Sequence, residues 1–371
     1  MIFKYKSLFI LLLIIGILVT TSFVLKYNNI ILNEPIIPYD YKQDESRKVN
    51  DKSITWIIHN YVPILNAGGE WMIHAINIYL IKEGYTVNVI VPTFPIKHYE
   101  GVNIYTFNDR KQIQNVIQKS KFIGTHFHFS LMAVKTADIA KKPIIIIVHD
   151  EIQKPYLEVF KKIYSKENIH LIYNSFWIKK LYTPMGFDNC VVFPPVYWKD
   201  YQVETNRKYV TLINCNANKG GRILIEIAKL MPDIEFLGVE GAYNSQIKDK
   251  TIKNITYLPS TPNIESIYEQ TDIILMPSQQ ETWGRVAIEA ISSGIPVIAN
   301  PTEGLREALD YCGIYVSYTD IKGWVETIRK LKTDQNYYKK ISELCIKRSR
   351  ELEPTPQLKI MEQWLQKIEY K

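Results

Sequence analysis

Apolar positions recur along this chain in two rhythms that alternate. Short β-branched and aromatic runs read as strands: ITWIIHN (54–60), YTVNVIVP (85–92), FIGTHF (122–127), PIIIIVHD (143–150) and HLIYNS (170–175). Ile144–Val148 is apolar at every position, which predicts a strand covered on both faces. Residues 70–83 instead have helical spacing, with Met72, Ile73, Ile76, Tyr79 and Leu80 on one face, and Gly84 ends the helix. Residues 194–208 (PPVYWKDYQVETNRK) interrupt the pattern. A second series follows: YVTLINC (209–215), IEFLGVEG (234–241), NITYLP (254–259), DIILMPS (272–278) and IPVIANP (295–301). Helices are expected near 221–231, 263–270, 284–293, 303–310 and 321–349. Strand–helix alternation of this kind predicts parallel sheets, here two doubly wound domains facing a cleft. The expected limits are 53–200 and 201–353, with 354–371 a C-terminal helix packing back on the first domain.

The N-terminus departs from both rhythms. Residues 7–25 (SLFILLLIIGILVTTSFVL) carry no charge and would span about 28 Å as a helix, close to the thickness of a hydrocarbon core. Residues 1–26 therefore read as a membrane anchor, and the polar, proline-interrupted residues 27–52 as a stem. A cleaved signal peptide is the alternative, but Thr20-Thr21-Ser22 is a poor cleavage site. Lys4 and Lys6 before the run favour a cytosolic N-terminus in a single-pass membrane protein, with the body on the luminal or extracytoplasmic side.

Composition narrows the classes. With 371 residues and 46% hydrophobic content, the chain can bury two cores and is not disordered. A net charge of +7 without long basic runs argues against a nucleic-acid partner. Cys190, Cys215, Cys312 and Cys345 lie far apart with no CxxC spacing, so neither a disulfide framework nor a zinc site is expected. The sequon Asn254-Ile255-Thr256 is a candidate glycosylation site if the body lies in a secretory lumen.

Folds of this kind bind ligands at the carboxyl ends of their strands, so the loops there carry the chemistry. In residues 278–304 Glu281 follows a strand, and Thr282, Trp283 and Gly284 lead into a helix whose start is a ready anion site. Glu289 lies about two turns further on. Spacing alone also allows Glu281 to be a helix-start carboxylate and Glu289 an exposed helix residue. In residues 214–228 Lys219 precedes Gly220-Gly221, and a lysine beside flexible backbone suits a phosphate. Neither GxxxxGK[ST] nor GxGxxG is present, which excludes a phosphate-binding P-loop and an NAD-dependent oxidoreductase.

Together these blocks resemble the retaining glycosyltransferases of the two-domain GT-B architecture, and family 4 in particular. Glu281 and Glu289 match its E-x7-E motif. Pro277, Ser278, Gly284, Ala290, Gly294, Pro296, Val297 and Ile298 stand at matching places, and Gly304 and Glu307 match the downstream G-x-x-E. Gly68-Gly69-Glu70 resembles the family's GGxE loop, and Gly84-Tyr85-x-Val87 its G-[HY]-x-V. The resemblance implies two Rossmann-like domains, the N-terminal one for the acceptor and the C-terminal one for a UDP- or GDP-sugar donor. Lys219, with the amides of Thr282, Trp283 and Gly284, would hold the diphosphate, while Gly69 and Asn214 would border it. Glu289 would take the ribose and Glu281 the transferred sugar. His149 would sit near the reacting centre, His128 and Gly68 on the acceptor side, and His126 beside them. No cofactor and no metal are expected, since no D-x-D triplet occurs. The acceptor would be a glycan, lipid or protein. One position departs from the pattern: many members carry arginine where this chain has Asn214, and Arg222 is the nearby candidate to compensate. Two other readings remain on the same fold: a catalytically silent sugar-nucleotide-binding scaffold, and a sugar-nucleotide epimerase.

Overall fold

The computed structural model describes residues 49–242 and 245–371, and of His128 the backbone alone. The expected anchor and most of the stem lie outside these residues. Among the described residues no helix is long and apolar enough to cross a membrane. The far end of the expected stem is part of the fold: β1 (Asn50–Ile57) begins at Asn50, which pairs with Ser120 and donates its side-chain amide to Thr86 Oγ1 at 3.1 Å.

Seven further strands complete the first sheet: β2 (Thr86–Val91), β3 (His98–Tyr99), β4 (Val102–Thr106), β5 (Ser120–His126), β6 (Ile144–Val148), β7 (Ile169–Tyr173) and β8 (Asp188–Val191). Their order is β3-β4-β2-β1-β5-β6-β7-β8, parallel throughout except for β3 against β4. The second sheet comprises β9 (Tyr209–Ile213), β10 (Phe236–Val239), β11 (Ile255–Leu258), β12 (Thr271–Met276), β13 (Val297–Ala299) and β14 (Ile314–Tyr315). Its order is β11-β10-β9-β12-β13-β14, and every pairing in it is parallel.

Helices cover both faces. On the first sheet they are α1 (Gly68–Lys82), α2 (Arg110–Lys119), α3 (Ser130–Ala140), α4 (Lys154–Ile163) and α5 (Phe176–Tyr182). On the second they are α6 (Gly221–Leu230), α7 (Glu265–Tyr268), α8 (Arg285–Ser292), α9 (Glu303–Leu309), α10 (Ile321–Thr333) and α11 (Gln335–Glu351). The expected single helix over 321–349 is two. Asp334 leaves the helical region (φ −101°, ψ 92°) and its side chain accepts from the Tyr337 amide, capping a new start.

Alternation along the strands divides the cores. Ile144, Ile146 and Val148 enter one apolar cluster with Leu157, Phe160 and Tyr182, while Ile145 and Ile147 enter another with Ile73, Ile76 and Leu80. A strand buried on both faces cannot alternate polar and apolar residues, which is why this segment is uniformly aliphatic. In the second sheet Ile274 and Met276 pack with Ala287 and Ile291, and Ile273 and Leu275 with Leu224 and Trp324. The last helix, α12 (Thr355–Gln366), returns to the first domain. Leu358, Met361, Leu365 and Ile368 are buried in the cluster that holds Ile76 and Leu80.

The sequon does not present a free amide. Asn254 Nδ2 faces the carbonyls of Ala228, Met231 and Ile234 at 2.9–3.0 Å and so ties off the end of α6. Glycosylation of the folded chain at Asn254 would have to break that arrangement.

Candidate active site

Each sheet reverses its strand order beside its central strand. β1 has β2 on one side and β5 on the other, and β9 has β10 and β12. The crevice at such a reversal, outside the carboxyl ends of the strands, is where open α/β sheets bind ligands. The carboxyl ends of β1, β5, β6, β9 and β12, with the segments that follow them, carry Gly68 and Gly69, His126 and Phe127, His149, Asn214 and Lys219, and Glu281 to Gly284 respectively. Gly68, Gly69, Phe127, His149, Asn214, Lys219, Glu281, Thr282, Trp283, Gly284 and Glu289 all line one cavity of about 840 Å³ between the domains. His126 is not among the lining residues. The side chain of His128 lies outside the described residues, and its backbone belongs to the single turn Phe127–Phe129.

On the C-terminal side, Gly284 (φ +93°) gives the chain the left-handed turn that opens α8 toward the cavity, a conformation that disfavours a side chain. Lys219 follows β9 in a turn tied by its amide to Asn216 Oδ1 (2.9 Å). Its ammonium forms an ion pair with the Glu281 carboxylate, which arrives from the β12 loop. The cation assigned to phosphate and the carboxylate assigned to the sugar are therefore neutralised by each other. Asn214 has φ +71°, a region asparagine tolerates better than most side chains. Its Oδ1 accepts from the Asn216 amide and from Gln246 Nε2, both at 3.3 Å. Arg222 does not fill the arginine's place: it is exposed and absent from the cavity lining.

Glu289 is buried, contrary to the exposed-helix alternative, and both of its oxygens are engaged. Arg285 Nε donates to Oε1 at 2.5 Å, and the Tyr268 hydroxyl to Oε2 at 2.7 Å. Arg285 also donates to the Pro195 carbonyl (3.2 Å) and the Tyr201 hydroxyl (2.6 Å), and lies 5.4 Å from the Trp71 ring. Sequence reasoning passed over Arg285, although its i,i+4 spacing to Glu289 is a standard helix-face pair.

On the N-terminal side, His149 directly follows β6 with its ring stacked on Phe127, centroids 4.5 Å apart. Its Nε2 lies 3.1 Å from His126 Nδ1, so one imidazole donates to the other. Burial drives the His149 pKa down to about 3, and the ring is neutral at physiological pH. It can therefore exchange hydrogen bonds with a sugar hydroxyl but supplies no charge. Glu70 directly follows the glycine pair, one place earlier than in GGxE. It is buried on α1 against the cavity.

The two halves touch through residues the sequence did not single out. Asn174 Nδ2 donates to the His149 carbonyl and to Thr282 Oγ1, both at 3.0 Å. Trp177 Nε1 donates to the Thr282 carbonyl at 3.1 Å. Glu307 accepts the amides of Phe176 (2.7 Å) and Trp177 (2.8 Å), capping α5 of the other domain. Thr282 thus spends its hydroxyl and carbonyl on domain contact. Asn174 was legible only as a residue at the end of a strand.

The family model described as "Glycosyl transferases group 1" matches residues 205–348. The match lies within the C-terminal half of the chain. It contains Lys219, Glu281 and Glu289. Among curated proteins, the D-inositol 3-phosphate glycosyltransferase of Corynebacterium urealyticum is 36% identical over 73 residues, covering 19% of this chain and 17% of that protein. The protein of the same name from Mycobacterium sp. (strain KMS) is 30% identical over 128 residues, covering 30% of this chain and 29% of its own. The matched part is thus less than a third of these relatives' length. Among solved structures, a glycosyltransferase from Rickettsia africae superposes with a TM-score of 0.66 at 16% identity, over 87% of this chain and all of that one. Anabaena Alr3699/HepE in complex with UDP-glucose gives 0.67 at 15% identity, over 85% and 100%. The fold is of the GT-B type.

Proposed function

We propose that this chain is a glycosyltransferase that moves a sugar from a UDP- or GDP-sugar to a hydroxyl-bearing acceptor. In this reading it acts with retention of configuration, without metal, and is tethered by residues 1–26. The observation that carries the reading is the meeting of Lys219, Glu281 and Glu289 with His149 across one interdomain cavity. A group 1 glycosyltransferase domain and the GT-B fold support it, as does a structural neighbour that holds UDP-glucose.

The chemistry follows from charge. Breaking the bond between the anomeric carbon and the phosphate oxygen leaves a diphosphate whose negative charge grows. Fixed donors aimed at that charge do most of the catalytic work. Lys219 is in place to leave Glu281 for the phosphate, and the α8 N-terminus adds its dipole. Glu281, released from its ion pair, then faces the sugar as positive character develops at the anomeric carbon. Neutral His149 holds a sugar hydroxyl on the opposite wall.

Glu289 is the ribose ligand in this scheme. Losing a hydrogen bond to an ionised group costs about 1.5–3 kcal/mol. Glu289→Gln is therefore expected to raise the donor KM roughly ten- to hundredfold with kcat little changed. The glutamine variant is the informative one. Glu289→Ala would strand the buried Arg285 and cost about 3–5 kcal/mol of stability. An unchanged donor KM in Glu289→Gln would remove the ribose assignment.

A silent sugar-nucleotide binder is the second reading. The observation favouring it is that Lys219 and Glu289 are both occupied by protein partners. Donor hydrolysis separates the two, since a binder releases no nucleoside diphosphate.

A further inference from the structure

The cleft's cations are confined to one wall, where they stand among the carboxylates of Glu240, Glu265, Glu281, Glu289 and Glu303. Among the described residues, the cavity's cationic side chains, Lys219 and Arg285, both come from the C-terminal side. The N-terminal wall offers three carboxylates, Glu70, Asp150 and Glu151, beside Trp71, Phe127 and the neutral ring of His149. Asp150 is spoken for, since its side chain accepts the Ile152 amide at 3.0 Å. Glu70 is different. It is only 7% exposed, and among the described residues no side chain hydrogen-bonds to its carboxylate. Burial raises its pKa to about 7. A carboxyl group in a cavity wall with no partner side chain is open to a hydrogen-bond donor that enters the cavity.

We propose that Glu70 receives a hydroxyl of the acceptor, and that the acceptor is an uncharged polyhydroxylated molecule rather than a phosphorylated one. The inference rests on the glycosyltransferase reading and adds the acceptor's class to it. A phosphate brought to this wall would meet carboxylates and no cation, and like charges in a desolvated cleft repel strongly. A hydroxyl donates to Glu70 whether the carboxyl is ionised or not. It also presents the oxygen that must reach the anomeric carbon. In that step the acceptor O–H bond breaks, the new bond from oxygen to the anomeric carbon forms, and the proton leaves with the departing diphosphate.

The test uses the full-length protein, radiolabelled UDP-glucose and GDP-mannose, and two matched acceptor pairs: methyl glucoside with its 6-phosphate, and myo-inositol with inositol 1-phosphate. Wild-type protein is expected to glycosylate the neutral member of a pair at least about tenfold better in kcat/KM. Glu70→Gln is expected to raise the acceptor KM by about tenfold, the loss of one hydrogen bond to a carboxylate. Its donor Kd by calorimetry and its melting temperature should remain unchanged, which a purely structural role would not predict. Preference for a phosphorylated member would overturn the proposal. So would an unaltered acceptor KM in Glu70→Gln, or donor hydrolysis with transfer to neither member. Absence of donor hydrolysis in wild-type protein would instead fail the underlying glycosyltransferase reading, and the acceptor assignment with it.

Discussion

Glu281→Gln is expected to lower kcat by about 10²- to 10³-fold, the usual effect of removing one preorganised electrostatic group from a reacting centre. Donor Kd measured by calorimetry should move by no more than about threefold, less than an ordinary hydrogen bond is worth. The asymmetry follows from the site. Glu281 pairs with Lys219, and glutamine still offers that ammonium an oxygen. What glutamine lacks is the negative charge opposite a developing oxocarbenium, and an interaction that grows only in the transition state appears in kcat. If Glu281 served merely to hold Lys219, Kd would suffer as much as kcat. Near-normal turnover in the variant would remove Glu281 from the chemistry.

Gly304→Ala should be nearly as damaging, although Gly304 is not among the residues lining the cavity. A methyl group there would lie 2.3 Å from the Thr282 carbonyl carbon and 2.4 Å from the Glu281 oxygen of the main chain. The clash is with backbone, so no side chain can swing away to relieve it. Overpacking of this sort costs about 1–3 kcal/mol, enough to lower Tm by several degrees. The segment pushed aside is the one that carries Glu281 and contacts Asn174 and Trp177. A displacement of about 1 Å at a reacting group can cost about 10²-fold, so kcat/KM should fall by about that factor. Calorimetric melting and donor turnover on the same sample check both parts. Full activity would mean that the loop tolerates displacement.

The division into two sheets was legible because strands buried on both faces leave uninterrupted aliphatic runs, as at Ile144–Val148. Strands of two to five residues with mixed polarity were not: His98–Tyr99, Val102–Thr106, Asp188–Val191 and Ile314–Tyr315 lie at or near sheet edges, where no aliphatic run is required. Spacing placed Glu281, Glu289 and Lys219 at the carboxyl edge of one sheet, but not the partners they hold. The Lys219–Glu281 pair joins loops 62 residues apart, and the Asn174–Thr282 contact spans 108. Periodicity carries no information at such separations. Asn214 illustrates the reverse case. Its left-handed backbone explains why asparagine is comfortable there, a constraint invisible until φ is known. Glu70 was legible only as part of the glycine-loop resemblance, and its burial against the cavity could not be read from the sequence.

The central claim is that a nucleotide sugar is turned over at the Lys219–Glu281 side of this cleft. Its most direct test is nucleoside diphosphate release from UDP- and GDP-sugars by the full chain, measured beside Lys219→Ala. Lys219 opposes phosphate charge in the bound donor and more strongly as that charge grows, so the variant should lose both affinity and rate. The account predicts steady release from at least one donor by the wild-type protein and at least about a hundredfold less by the variant. Equal release by the two proteins, or calorimetric binding of a donor without any release, would contradict it.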